Sequence, residues 1–124
     1  MAKILLVDDE QDIREMMRLM LEDEGHDVSD TGSGEEALIF ACEGGFDLVI
    51  LDIMMPDMNG WRVCGFLRED ERTKTLPVLF CSGSPDAERM HSHCAPPNTY
   101  FITKPFETRA LNDRVRKYLM CFSR

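Results

Sequence analysis

Lys3-Ile4-Leu5-Leu6-Val7-Asp8-Asp9-Glu10 is the stretch on which the reading of the fold turns. Four apolar residues in a row, with no polar alternation, suit a strand buried on both faces of a parallel sheet. Three carboxylates follow at once. That abrupt change, and the shortness of the apolar run, exclude a secretory leader, whose core is longer and ends in small residues. Similar short runs recur at 48–51, 76–81 and 100–103, and a weaker one at 27–31 has Val28 as its apolar anchor.

Helical patterns fill the spaces between these runs. Ile13, Met16, Met17, Met20 and Leu21 recur at helical spacing over about 11–24, and Gly25 ends that segment. Ser33-Gly34-Glu35-Glu36 has the form of a capping box, with Ala37, Leu38 and Ala41 following on one face. A third helix is expected over about 60–70, with Val63, Phe66 and Leu67 inward. A fourth begins at Ser84-Pro85, an N-cap followed by proline at the first helical position. Ala87, Met90 and Cys94 give it a thin apolar stripe, and Pro96-Pro97 stops it. The last covers about 107–121, with Leu111, Val115, Leu119 and Tyr118 inward. Five strands alternating with five helices make one α/β domain over 1–124. Strands joined through helices run parallel with right-handed crossovers, which gives a doubly wound, three-layer sandwich.

Ligands of such sheets sit beyond the carboxyl ends of the strands. Just past the first strand stand Asp8, Asp9 and Glu10. Asp52 ends the third, Ser82 follows the fourth, and Lys104 follows the fifth. Each has an ordinary reading alone. Acidic residues favour a helix N-terminus, a lone strand-end Asp is commonly a cap, and Lys-Pro is commonly a turn. Their convergence on one edge points to chemistry instead. Clustered carboxylates with few other ligands suit Mg²⁺. A metal and Lys104 can neutralise the oxygens of a phosphoryl group in transfer, Asp52 can act as nucleophile, and Ser82 can donate a hydrogen bond to the transferred group.

Composition narrows the classes. The chain has 124 residues, 44% hydrophobic and 30% charged, as expected of a globular domain. No apolar run approaches the roughly 20 residues of a membrane span, so a cytoplasmic protein without membrane attachment is expected. A net charge of −9 argues against direct binding to nucleic acid. The five cysteines, Cys42, Cys64, Cys81, Cys94 and Cys121, contain no CxxC pair, so they read as thiols in a reducing compartment rather than a zinc site or disulfide frame. His91, His93 and Cys94 do not share one helical face, which argues against a metal site there.

The opening stretch, Asp52-Ile53-Met54-Met55-Pro56-Asp57-Met58-Asn59-Gly60 and Lys104-Pro105-Phe106 together resemble the receiver domain of bacterial two-component response regulators, chemotaxis regulators included. The resemblance runs end to end, and the spacings from Asp52 to Ser82 and Lys104 agree with it. It implies a flavodoxin-like sheet of order 2-1-3-4-5 with five helices. It further implies Asp52 as phosphoacceptor, with Asp9 and Asp52 as direct Mg²⁺ ligands, Asp8 as a ligand through water and the Met54 backbone carbonyl as a third protein ligand. Lys104 would pair with the phosphoryl group across a cis bond to Pro105, and Gly60 would fill a tight backbone position. The donor would be a sensor histidine kinase or histidine phosphotransfer protein, docking around Gln11, Ile13, Arg14 and Met17. Output would pass to a downstream protein or an effector domain.

In such domains Ser82 and an inward-turning aromatic form the switch. That aromatic is Phe101, with Tyr100 beside it. Many relatives carry tyrosine there, so the switch here rests on packing alone or recruits Tyr100. Ala95-Pro96-Pro97-Asn98 also departs from the usual end of the fourth helix, on the output surface. Two other functions compete with this one. A pseudo-receiver that only binds protein would need a broken pocket, and every expected group is present. A flavoprotein or hydrolase lacks support, since Asp8-Asp9-Glu10 would repel a phosphate cofactor and no Gly-x-Ser-x-Gly occurs.

Overall fold

The computed structural model describes residues 2–122, with side-chain surroundings for residues 2–120; the Cys121 thiol lies outside them. The order is β1 (Lys3–Val7), α1 (Gln11–Asp23), β2 (Asp27–Thr31), α2 (Gly34–Gly44), β3 (Leu48–Asp52), α3 (Gly60–Glu69), β4 (Val78–Ser82), α4 (Pro85–Cys94), β5 (Thr99–Thr103) and α5 (Thr108–Phe122). The strands form one sheet in the order β2-β1-β3-β4-β5, and every neighbouring pair is parallel.

The core lies on both faces of that sheet, as continuous apolar strands require. On one face Leu5, Val7, Val49, Leu51, Val78 and Phe80 pack with α2, α3 and Ala87 of α4. On the other, Ile4, Leu6, Leu48, Ile50 and Leu79 pack with Met17 and Leu21 of α1 and Leu111 and Val115 of α5. β2 is an edge strand with only Val28 and Thr31 buried, which explains its weak signal.

Several expectations shift in detail. β4 begins at Val78 rather than at residue 76, because the Leu76 N–H closes a turn on the Thr73 carbonyl and Pro77 has no N–H for the ladder. Phe66 is 42% exposed; the inward stripe of α3 is Val63, Cys64 and Leu67. Met16 of α1 faces out, as do Met90 and Cys94 of α4. Only half the capping box forms. Ser33 Oγ accepts from the Glu36 N–H at 3.2 Å, but the Glu36 carboxylate takes the Thr31 hydroxyl. The Ser33 N–H donates to Thr31 Oγ1 at 3.2 Å.

Candidate functional site

β1 and β3 are adjacent and parallel, with Val7 opposite Leu51, so the residues that end them emerge side by side. Asp8, Asp9 and Asp52 each place one carboxylate oxygen within 4.8 Å of the others. Asp8 and Asp52 are buried, and Asp9 is exposed. Asp8 is held by its own turn, accepting the Glu10 N–H on Oδ1 at 2.9 Å. Asp52 Oδ1 accepts the Met54 N–H at 3.1 Å. Three hard oxygen donors with one side open to water fit Mg²⁺, which binds through few carboxylates and keeps several waters.

Lys104 reaches this edge from the end of β5. Its Nζ lies 2.8 Å from Asp8 Oδ2 and 3.6 Å from Asp52 Oδ2, so its closer partner is Asp8. The Lys104–Pro105 bond is cis. Burial works against the ammonium, but the Asp8 hydrogen bond and the Asp52 charge outweigh it and raise its pKa. The Asp52 carboxyl is pushed up to about 6, first by burial and then by Asp8 and Asp9, against the opposing pull of Lys104 and the Met54 N–H. One ammonium therefore does not compensate three carboxylates, which is the electrostatic condition of a cation site.

The loop over residues 53–59 is anchored at both ends. The Gly60 N–H donates to the Ile53 carbonyl at 2.9 Å, and a Cβ on Gly60 would stand 2.7 Å from the Asp52 carbonyl oxygen. Only glycine permits that approach, which agrees with the tight position expected there. Asn59 caps α3 through the Arg62 N–H at 3.0 Å. Asp57, which the sequence reading gave no role, takes the Ser33 hydroxyl at 3.1 Å and the Gly34 and Glu35 N–H groups at 3.3 and 3.4 Å. It thus ties this loop to the N-terminus of α2. Its acidity is enhanced: slight burial opposes the charged form, but the two backbone N–H groups and Ser33 outweigh it. Met54 leaves its side chain 66% exposed.

Ser82 is buried at the end of β4, and its Oγ accepts the Ser84 N–H at 3.0 Å. Phe80 pairs with Phe101 and Ser82 with Thr103, so side-chain alternation puts Ser82 and Phe101 on the same face of the sheet. Tyr100 belongs to the other face, stacked on Tyr118 with centroids 3.9 Å apart. The structure brings Phe101, and not Tyr100, to the side of Ser82. Phe101 is half-buried and lies 5.5 Å from the His91 ring, which also meets Trp61 and Phe80. Trp61 packs against Phe80 at 4.6 Å.

The expected docking residues separate. Met17 is buried in the core. Arg14 is tied to Asp30 at 2.8 Å and to the Asp8 carbonyl at 2.7 Å. Gln11 remains exposed and Ile13 half-buried. His93 and Cys94 are exposed, and among the described residues the only grouping of at least three His, Cys, Asp or Glu side chains with metal-binding spacing is Asp8, Asp9 and Asp52. No helix among them is long and apolar enough to cross a membrane.

A family described as the response regulator receiver domain matches residues 4–116. The transcriptional regulatory protein ResD of Bacillus subtilis is 37% identical over 118 residues, covering 95% of this chain and 48% of ResD. The chain spans about half the length of the curated relatives it matches. Among solved structures, the chemotaxis protein CheY4 of Vibrio cholerae is 32% identical, with a TM-score of 0.85 over 95% of this chain and 98% of that one. The response regulator TrrA of Thermotoga maritima, in complex with Mg²⁺ and BeF, is 34% identical, with a TM-score of 0.84 over 95% and 99%.

Proposed function

The chain belongs to the response regulator receiver domain family, and from that premise we propose that residues 1–124 form a phosphorylation-dependent switch with Asp52 as the acceptor. The observation that carries the reading is the juxtaposition of Asp8, Asp9 and Asp52 with Lys104 at one sheet edge. A carboxylate oxygen of Asp52 attacks the phosphorus of a phosphohistidine. The new P–O bond forms as the P–N bond breaks, and the electron pair leaves with the imidazole nitrogen. Asp8, Asp9, Asp52 and the Met54 carbonyl would hold Mg²⁺, which when bound offsets the charge on the transferred oxygens.

Lys104 already lies within 4 Å of Asp52 and supplies the second positive charge. The Ser82 hydroxyl donates to a phosphoryl oxygen, and Phe101 follows it inward on the same face. Output is then a population shift at the α4–β5 surface. The domain works in the cytoplasm and catalyses only its own phosphoryl transfer and loss. A histidine kinase or phosphotransfer protein supplies the group, and a downstream protein or an effector domain receives the signal. A module that only binds protein is not favoured, because no group of the pocket is replaced. Incubation with acetyl phosphate and Mg²⁺ should label the native chain and leave Asp52→Asn unlabelled. Equal labelling of the variant refutes the assignment.

A further inference from the structure

His91 lies outside the phosphoryl site, yet it occupies the junction of three elements. Its ring stacks on Trp61 of α3 at 6.3 Å and 19°, meets Phe80 of β4 edge-on at 5.8 Å, and tilts against Phe101 of β5 at 5.5 Å. Its Nε2 is 3.0 Å from Thr99 Oγ1. Thr99 has a single hydroxyl proton, and that proton is donated to the Pro96 carbonyl at 2.7 Å. Only acceptor capacity remains on Oγ1. Nε2 therefore carries the hydrogen and donates it. Burial lowers the pKa of the ring, which favours its neutral form.

The same helix face makes a second link. Thr103 Oγ1 donates to the Glu88 carboxylate at 2.8 Å. Glu88 and His91 are three residues apart, so they lie on one side of α4. Thr99 and Thr103 flank Phe101 at two residues on either side, on its own face of β5. Phe101 is therefore bracketed by α4, with His91 as the ring in contact with it. Of α4's side chains only Ala87 is buried, so His91 is also the largest group that seats this helix on the sheet.

We propose that His91 is a positioning residue of the switch: it holds Phe101 and α4 in the resting arrangement, and the state of Asp52 is felt at α4 through this ring. The inference rests on the reading of Asp52 as phosphoacceptor. Removing a contact made in the resting state shifts the equilibrium toward the other state by the energy of that contact. An aromatic pair plus one hydrogen bond corresponds to roughly a five- to hundredfold change.

The test is a titration of the full chain with beryllofluoride in Mg²⁺, read by the fluorescence of Trp61, the single tryptophan. His91→Ala should lower the half-saturating beryllofluoride concentration by about five- to hundredfold. His91→Phe keeps a ring but no Nε2–H, and Thr99→Val removes the acceptor; each should fall between His91→Ala and the native chain. Far-UV circular dichroism checks folding, and His91→Phe carries the test if His91→Ala does not fold. A second arm follows Trp61 emission against pH without beryllofluoride, in an Asp52→Asn background so that the Asp52 carboxyl, itself raised to about 6, does not contribute. The groups around the ring from α3, β4 and β5 are Trp61, Phe80, Thr99 and Phe101, none of them charged, and Glu88 on α4 is engaged by Thr103. Emission should therefore titrate with a midpoint below the ordinary histidine value, and His91→Phe should abolish that step. Unchanged or weaker beryllofluoride response in the variants, or an undiminished pH step in His91→Phe, overturns the role of His91 alone. A native chain with no Mg²⁺-dependent response overturns the phosphoacceptor reading, and this inference with it.

Discussion

Asp52→Asn should make the metal-free protein more stable at neutral pH, although it removes the proposed acceptor. The carboxyl rises from 3.8 to about 6, so about two pH units separate the folded from the ordinary value. At about 1.4 kcal/mol per unit, the charged form carries a penalty near 3 kcal/mol. The Asp52 side chain is 6% exposed, but the neighbouring Asp9 faces water, and screening reduces the penalty to about 1–2 kcal/mol. The asparagine oxygen can still accept the Met54 N–H, and Lys104 keeps its closer partner Asp8. With a urea slope of about 2 kcal/mol/M, the unfolding midpoint in EDTA at pH 7.5 should rise by roughly 0.5–1 M. The sign follows from linkage. Below 3.8 the group is protonated in both states and the variants should match. As pH rises through 3.8 the unfolded chain loses its proton first, so the native protein loses stability until about 6, and above that the gap is constant. Mg²⁺ should reverse the order, because it stabilises the chain with three carboxylates more than the chain with two. A variant that is equal to or weaker than the native protein in EDTA at pH 7.5 would refute the argument that Asp52 is held charged at a cost.

Other substitutions test the parts around it. Gly60→Ala brings a methyl to 2.7 Å from the Asp52 carbonyl oxygen and 2.8 Å from Ile53 Cα; it should cost about 1–3 kcal/mol in urea unfolding and slow labelling of Asp52. Asp57→Ala removes the acceptor for Ser33, Gly34 and Glu35 and should cost about 1 kcal/mol. Because the Asp57 pKa is depressed, that difference should be present above 3.8 and vanish as pH falls through its folded value, as a series of thermal melts from pH 7 downward would record. Ser82→Ala should still be labelled by acetyl phosphate but lose most of the beryllofluoride-induced change in Trp61 emission; a full response would remove Ser82 from the switch.

The site was legible because its members adjoin strands that announce themselves. Asp8, Asp9, Asp52, Ser82 and Lys104 each follow or end a short apolar run, and a parallel sheet brings those ends together whatever the helices do. Strand order was not legible from pattern and came from the resemblance; the β2-β1-β3-β4-β5 sheet agrees with it. Helix faces were read less well. Phe66 was placed inward by its hydrophobicity, but Val63, Cys64 and Leu67 define the buried stripe, and the smaller Cys64 is the residue that fits. On α4 the spacing of Ala87 and His91 would have marked the inner face, had the imidazole been counted as an aromatic ring. Asp57 had no periodic signal. It caps a helix that begins 23 residues earlier, and such a contact exists only once the chain has folded.

The unequal hold on the helices bears on how the signal leaves the site. α3 buries Gly60, Val63, Cys64 and Leu67, whereas α4 buries Ala87 alone. Elements that move in switching come from the weakly held end of a structure, and α4 is so held. Its C-terminal connection is not free, however. Arg68 donates to the carbonyls of Leu76, Pro97 and Asn98 at 2.8, 3.0 and 3.2 Å, pinning the segment after Pro96 to α3 and to the turn before β4. A helix fixed at that end and joined to the sheet by Glu88 and His91 cannot slide off as a unit. The segment 83–87, between Ser82 and the Glu88 link, is left to respond. A phosphoryl group that draws the Ser82 hydroxyl pulls on the turn where Ser84 Oγ accepts the Ala87 N–H at 3.3 Å. Phe101 has no hydroxyl to exchange partners, so in the proposed switch its inward turn gives up the resting contact with the ring of His91 and rests on packing alone. The proposed chemistry thus rests on carboxylates at the strand ends, and the proposed readout on how lightly one helix is held.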